Sequence, residues 1–337
     1  MFKDWELPED VKEAMEEMGS YGLAKSTWSA YKTAERQLGK CQKEKKTDMS
    51  LPLSKEKTVV FIDWLIRDRK VKATTINSYL SGIRQLHISR GMDPPNLRPA
   101  AVNLLLKGKQ HLDNIEERKW GSPGRLPVTI TILKLLKAGL IRADMDNVTK
   151  ILTWTVCCMA FHGSFRIHEL LCQVEDKFDP DFTLLRKDVK LFRREEGPDR
   201  LEVTLKCPKE SKRGKKVVVD LFETKGETCP IAAFKKWEKN VRGKENEPAF
   251  IDAIGRPLTG RRLNKIVKSL LESHINYKTG KITSHSFRAG MASLLAAKGF
   301  EEEEIKISGR WNSRAFELYT KLPRTKREEI ARRLGTL

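Results

Sequence analysis

The sequence lacks a long apolar run. Its longest, Ile151 to Phe161, is interrupted by Thr153 and Thr155, and crossing a bilayer takes about 20 apolar residues, so no membrane span is predicted. It also lacks any C-x-x-C pair: the six cysteines (Cys41, Cys157, Cys158, Cys172, Cys207, Cys229) are scattered, which argues against a zinc ribbon or a disulfide scaffold and predicts reduced thiols. A basic, apolar leader is missing as well. Met1 to Met18 carries Asp4, Glu6, Glu9, Asp10, Glu13, Glu16 and Glu17, the opposite of a secretory signal, so a protein that stays inside a cell is expected. Aromatics make up 7% and tyrosines number five, a scarcity that narrows the search for a nucleophile below.

What the chain has in excess is positive charge. Lys and Arg total 65 against 45 Asp and Glu, a formal net charge of +20, and such an excess calls for an anionic partner, nucleic acid first. The 337 residues suffice for two domains, or at most three small ones. Hydrophobic residues at 39% and interspersed charges are those of a globule rather than a disordered chain.

Up to about Ile115 the apolar spacing is helical. Trp28, Tyr31 and Leu38 form one stripe, Val60, Trp64 and Leu65 a second, Ile76, Leu80, Ile83 and Leu86 a third, and Val102, Leu105 and Leu106 a fourth. Four amphipathic helices fit, with Ser54 and Thr75 as N-caps. Residues 116–127 are polar and rich in Gly and Pro, which predicts an interdomain linker between a domain at 1–115 and one at 128–337. The second domain opens with helices near Thr129 to Leu140, Val148 to Phe161, and from Ser164 past Leu171. The period then shortens: Asp188 to Phe192, Leu201 to Leu205 and Val217 to Leu221 predict a small antiparallel sheet, with turns at 196–199 and 212–214. Helices resume near Pro230 and at Thr259 to Ser273, Ser286 to Lys298, Glu301 to Ser308 and Arg324 to Leu334. The fold class is mainly α with a small antiparallel β-sheet.

Two short segments hold groups suited to phosphate chemistry. Gly163-Ser164-Phe165-Arg166-Ile167-His168-Glu169-Leu170-Leu171 sets Arg166 and Glu169 three apart, and His285-Ser286-Phe287-Arg288 sets a histidine and an arginine three apart. Taken singly, the first is explained by a surface ion pair, and most histidine–arginine pairs like the second do no chemistry. His162, His168, Cys157, Cys158 and Cys172 cluster in sequence without ligand spacing, so no metal site is assigned.

As an ordered set, the C-terminal half resembles the tyrosine recombinase (phage integrase) family. Arg166 stands at the family's first arginine in a G-x-R-x-x-E-L-like pattern with Glu169 at the acidic position, although one extra residue separates Gly163 from Arg166. His285 and Arg288 match the H-x-x-R box, Gly309-Arg310-Trp311 matches the following G-H or G-W element, and Tyr319 follows. Tyr319 stands eight residues after Trp311, one fewer than in many bacterial members. The Gly-Arg-Trp form is most similar to recombinases of eukaryotic tyrosine-recombinase retrotransposons and related mobile elements. Upstream, the segment Lys72-Ala73-Thr74-Thr75-Ile76-Asn77-Ser78-Tyr79-Leu80-Ser81-Gly82-Ile83-Arg84 resembles the family's core-binding domain.

The resemblance implies a two-domain DNA clamp, a helical core-binding domain plus a catalytic domain, that cuts and rejoins double-stranded DNA. Arg166 and Arg288 would clamp the scissile phosphate with bidentate hydrogen bonds, Glu169 orienting an arginine. Tyr319 would be the nucleophile, leaving a 3′-phosphotyrosyl link and a free 5′-hydroxyl, without metal, ATP or any cofactor. It alone among the tyrosines lies beyond the H-x-x-R box, but it shares an apolar helical pattern with Trp311, Phe316 and Leu318, which is also the pattern of a core. Lys209 matches the hairpin lysine that protonates the leaving oxygen, with Ser211-Lys212 as a rival assignment. His285 would move a proton or bind phosphate, and Trp311 donate through its indole N–H. Lys72, Thr75, Arg84, Lys212 and Arg213 are the expected DNA contacts.

The implied assembly is a homotetramer on paired DNA sites, serving integration or excision of a mobile element, in the nucleus for a eukaryotic host and otherwise in the cytoplasm. Two other readings stay open: a type IB topoisomerase-like enzyme, and a DNA-binding descendant of a recombinase that has lost catalysis. All three predict salt-dependent DNA binding, so a salt titration does not separate them.

Overall fold

The computed structural model describes residues 6–22, 25–120, 126–174, 178–206, 216–272, 282–283, 285–311 and 317. The chain divides into two compact units, Met1–Ser122 and Pro123–Leu337.

The first unit is helical: α1 (Glu9–Tyr21), α2 (Lys25–Lys45), α3 (Lys55–Arg67), α4 (Ala73–Ser89) and α5 (Ala100–Trp120). The spacing predicts four of these; α1 is an addition. Its acidic first turn, Glu9 and Asp10, complements the helix dipole, but Met15 and Met18 are exposed, so no buried stripe betrays it in the sequence. The core joins Ala34 and Leu38 of α2, Phe61, Ile62, Trp64 and Leu65 of α3, Ile76, Leu80 and Ile83 of α4, and Val102 and Leu106 of α5. Leu105, expected in that stripe, is exposed instead.

Ser54 caps α3 as its position predicts, its Oγ accepting from the Lys57 N–H at 3.2 Å. Ser54→Ala is expected to cost about 1 kcal/mol, read as a lower denaturation midpoint of the first unit. Thr75 does not cap α4. The N-cap position is Lys72, whose side chain makes no capping bond, and the orphan N–H of Ala73 donates to Asp113 Oδ2 of α5 at 2.8 Å. Burial alone would raise the Asp113 carboxyl, but the Lys109 ammonium and the Ala73 N–H bonded to it hold it below its ordinary value. The helix start is therefore set from another element, which local sequence cannot show. Helix α5 continues to Trp120, through the first residues predicted as linker; Glu116, Glu117, Arg118 and Lys119 are polar, yet good helix formers.

The second unit is built around α7 (Asn147–His162), whose Ile151, Leu152, Val156, Cys157, Cys158, Met159, Ala160 and Phe161 are all buried. A helix enclosed on every side reads as an unbroken apolar run, and here accounts for the longest one in the chain. Helix α6 (Ile130–Arg142) packs beside it, capped by the Thr129 hydroxyl. After α7 comes α8 (Ile167–Leu170), a single turn where the sequence predicts a helix from Ser164 past Leu171. The cause is backbone: Ser164 sits at φ 47° and Arg166 is extended, so the chain cannot become helical before Ile167.

Strands β1 (Val189–Phe192), β2 (Arg200–Leu205) and β3 (Val217–Phe222) form an antiparallel sheet in sequence order, Val203 pairing with Val189 on one side and Val219 on the other. Leu201, Val203, Leu205 and Leu221 face the core. At the end of β2, Lys206 Nζ lies 2.9 Å from Asp188 Oδ2 and 2.7 Å from the Pro180 carbonyl. The residues that follow, including Lys209, Lys212 and Arg213, lie outside the described residues. Helices α9 (Pro230–Asn240), α10 (Gly260–Glu272), α11 (Ser286–Lys298) and α12 (Glu302–Gly309) complete the described part; the helix predicted at Arg324 to Leu334 lies outside it. The result is the expected class, mainly helical with one small antiparallel sheet. Among the described residues no helix is long and apolar enough to cross a membrane.

Candidate active site

Three segments far apart in sequence meet at one point of the second unit. The first is the turn after α7, where Gly163 lets the chain fold back tightly: a Cβ there would stand 2.2 Å from the Phe165 ring. The Ser164 backbone is left-handed at φ 47°, a strained state for a residue other than glycine. Arg166 follows at the N-terminal end of α8. Its backbone N–H donates to Glu169 Oε2 at 2.9 Å, and its Nη1 lies 3.0 Å from Glu169 Oε1. Glu169 thus serves as cap and counter-ion together.

The second segment is the start of α11, fixed by Ser286, whose Oγ accepts from the Thr283 N–H and whose carbonyl accepts from the Val128 N–H, each at 2.9 Å. Arg288, buried two residues on, donates from Nη1 to the Ser164 carbonyl at 2.9 Å. His285, at the N-cap position, is exposed.

The third segment is the end of α12. Arg310 terminates that helix in a left-handed conformation at φ 53°, its N–H bonded to Ile307 O and that of Trp311 to Lys306 O. Glycine is the usual residue there. Gly309, just before it, lets Trp311 lie flat against the backbone, since a Cβ would stand 1.8 Å from the indole ring. The Trp311 ring lies under the Arg288 guanidinium, 4.5 Å from centroid to Cζ, and packs with Ala292 and Ile305. Arg288 is stacked on one side and bonded at its tip, so its fork is held in one plane.

Arg166, Glu169, Arg288 and Trp311 are therefore brought together, and the sequence reading missed the residue that joins them, Arg310. Its Nη1 donates to the Gly163 carbonyl and its Nη2 to Glu169 Oε2, each at 2.9 Å, while Phe165 lies under its guanidinium. Burial pulls the Arg310 guanidinium below its ordinary value, Glu169 pushing back and Arg166 pulling the same way as burial. The available signal was the eight-residue interval from Trp311 to Tyr319, which places Arg310 nine residues before the tyrosine. Tyr319, like Lys209, lies outside the described residues.

In the first unit, Lys72, Thr75 and Arg84 are all exposed. Thr75 and Arg84 are nine residues apart, about two and a half turns of helix, so they stand on opposite edges of the exposed arc of α4. The middle of that arc is Thr74, Ser78 and Ser81, and Arg98 lies on it, its Nη2 2.6 Å from Asn77 O and 2.9 Å from Ser81 Oγ. Arg98 is a second basic residue that the sequence reading passed over.

Among the described residues, Arg166 and Arg310 share the Glu169 carboxylate and Arg288 adds a third guanidinium beside them, an excess of positive charge suited to an anion whose charge grows along a reaction. No family model matches the sequence, and no curated protein matches it. Solved structures do match in fold. The Tn1549 transposon integrase in complex with circular intermediate DNA aligns over 95% of this chain and 97% of its own, at 15% identity and TM-score 0.59. A lambda integrase dimer bound to a COC′ core site aligns over 92% and 94%, at 12% identity and TM-score 0.57. The XerH site-specific recombinase bound to palindromic difH substrate aligns over 85% and 74%, at 16% identity and TM-score 0.55. These structural neighbours are integrases and a site-specific recombinase, and the likeness in fold spans 95% of this chain in the first of them.

Proposed function

We propose that the protein is a site-specific DNA recombinase that cleaves and rejoins DNA through Tyr319. The observation that carries this reading is the convergence of Arg166 and Arg288 on one buried cluster, 2.9 to 3.0 Å from the Ser164 carbonyl and Glu169 that orient them. A phosphodiester in front of that cluster gains charge as the tyrosine oxygen attacks, and fixed guanidinium groups stabilise the added charge without reorganising. The Tyr319 hydroxyl passes its proton to His285 as its oxygen forms a bond to phosphorus, the bond to the 5′-oxygen breaks, and Lys209 supplies that oxygen with a proton. Lys206 is tied to Asp188, which favours a lysine further into the hairpin for that role. His285 assists at the nucleophile, and Trp311 supports Arg288. Rejoining is the reverse attack by a 5′-hydroxyl, so neither metal nor ATP is required.

DNA also lies along the exposed arc of α4, with Lys72, Thr75, Arg84 and Arg98, and along the basic hairpin at Lys212 and Arg213. The working form is a homotetramer on paired sites, acting in integration or excision of a mobile element. The Gly-Arg-Trp sequence supports an element of eukaryotic type, whose recombinase would work in the nucleus.

The test is covalent capture. A pool of nicked duplexes tiled across the genetic element that encodes the chain is mixed with protein and resolved on a denaturing gel. A covalent adduct whose peptide map places the nucleotide on Tyr319, and which Tyr319→Phe does not form, is expected. Tight binding with no adduct would support the DNA-binding descendant instead, and relaxation of a plasmid lacking any captured site would support a topoisomerase.

A further inference from the structure

Arg310 shares an acceptor with each of the two arginines assigned to the phosphate. With Arg166 it shares Glu169, Oε2 taking Arg310 Nη2 at 2.9 Å and Oε1 taking Arg166 Nη1 at 3.0 Å. With Arg288 it shares the Ser164 carbonyl, at 3.4 Å from Arg310 Nη2 and 2.9 Å from Arg288 Nη1. The Arg310 carbonyl in turn lies 3.4 Å from Arg288 Nη2.

The backbone points the same way. Ser164 and Arg310 are both non-glycine residues in the left-handed region, one on each side of the contact. Left-handed backbone at a residue with a Cβ persists where surrounding interactions over-determine it, and such positions gather at functional sites. Here the Arg310 side chain reaches from one strained turn to the other, bonding the Gly163 carbonyl next to Ser164 at 2.9 Å. Glycine would remove the strain at 310 and would also remove the bridge.

We infer that Arg310 is a positioning residue for strand cleavage: it locks the turn that carries Arg166 to the end of α12, and so sets both phosphate-binding arginines and the start of the segment leading to Tyr319. This rests on the recombinase reading above. Among the described residues, three guanidinium charges and one carboxylate sum to +2, opposite in sign and equal in size to the −2 of a phosphodiester under attack by a tyrosinate. A lysine in its place keeps the charge but presents a single ammonium, which cannot serve the Gly163 carbonyl and Glu169 with the geometry of a planar fork.

The experiment uses the full chain and the nicked duplex that wild type captures best from the tiled pool. Arg310→Met and Arg310→Lys are compared with wild type for the rate of adduct formation at saturating DNA, for DNA affinity and for melting temperature. Misplacing reacting groups by about an ångström costs about 100-fold, so a rate lower by about 10- to 100-fold is expected for both, with DNA affinity changed less than about threefold. Arg310→Ala with added guanidinium chloride at millimolar concentration is expected to recover part of the rate, and ammonium chloride at the same ionic strength none. Rates unchanged in Arg310→Met and Arg310→Lys would overturn the assignment. So would a rate loss matched by equal losses of DNA affinity and thermal stability with no guanidinium rescue, which is the signature of a purely structural residue. A wild type that forms no adduct with any duplex overturns the recombinase reading itself, a result distinct from either.

Discussion

Arg288→Ala is expected to slow adduct formation about 100- to 1,000-fold, the range found when one fixed donor to a developing oxyanion is removed. The residue is buried, bonded to the Ser164 carbonyl at 2.9 Å and stacked on Trp311 at 4.5 Å, so its truncation also removes that bond and that stacking. Arg288→Lys separates charge from geometry. The ammonium keeps the positive charge but loses the planar stacking on the indole and one of the two parallel donors, so the lysine variant is expected to fall between alanine and wild type. Trp311→Phe tests the platform in the same assay: a smaller ring still supports the guanidinium, and a loss of under about tenfold is expected, in line with about 0.5 to 1 kcal/mol for such a stacking contact. Rates from single-turnover adduct formation at saturating DNA decide all three. Arg288→Ala reacting within a few-fold of wild type would remove Arg288 from the phosphate site.

How much of this could be read beforehand follows the range of the interactions. The strands were legible, since Asp188 to Phe192, Leu201 to Leu205 and Val217 to Leu221 alternate or cluster Val and Leu between turn residues, and their inward faces are buried in β2 and half-buried to buried in β1 and β3. Ser54 was legible because a cap acts within its own first turn. Thr75 was misread because α4 opens after Lys72, where the Ala73 N–H is met by Asp113, 40 residues further along the sequence. The one-turn α8 was misread for a related reason. Helical propensity around Phe165 is ordinary, but the Ser164 carbonyl is held by Arg288 from 124 residues further along, and the backbone is left-handed at Ser164 and extended at Arg166. Arg166, Glu169, Arg288 and Trp311 were found through their order in the chain. Arg310 was not, since its importance lies in bonds to Gly163 and Glu169 across more than 140 residues.

Glu169→Gln carries the largest expected effect on stability. Its carboxylate is nearly inaccessible, with 3% of the side chain exposed, and it faces the Arg166 and Arg310 guanidinium groups and the Arg166 backbone N–H at once. Glutamine keeps the shape but removes the single negative charge, and its amide NH2 must point at one of two cation donors. Breaking a buried ion pair by neutralising one partner costs about 3 to 5 kcal/mol because the surviving charge stays desolvated. Here two charges survive. For a unit of this size each kcal/mol shifts the melting temperature by about 2 to 4 °C, so a fall of roughly 6 to 20 °C is expected for the unit that contains the site. The double variant Glu169→Gln, Arg310→Met distinguishes lost charge balance from lost packing. Methionine removes one of the two uncompensated cations and leaves an apolar side chain over Phe165, so the double variant is expected to lose less than the two single losses added together. Strict additivity in melting temperature would mean that Glu169 and Arg310 do not act on one another, whatever their separation of 2.9 Å.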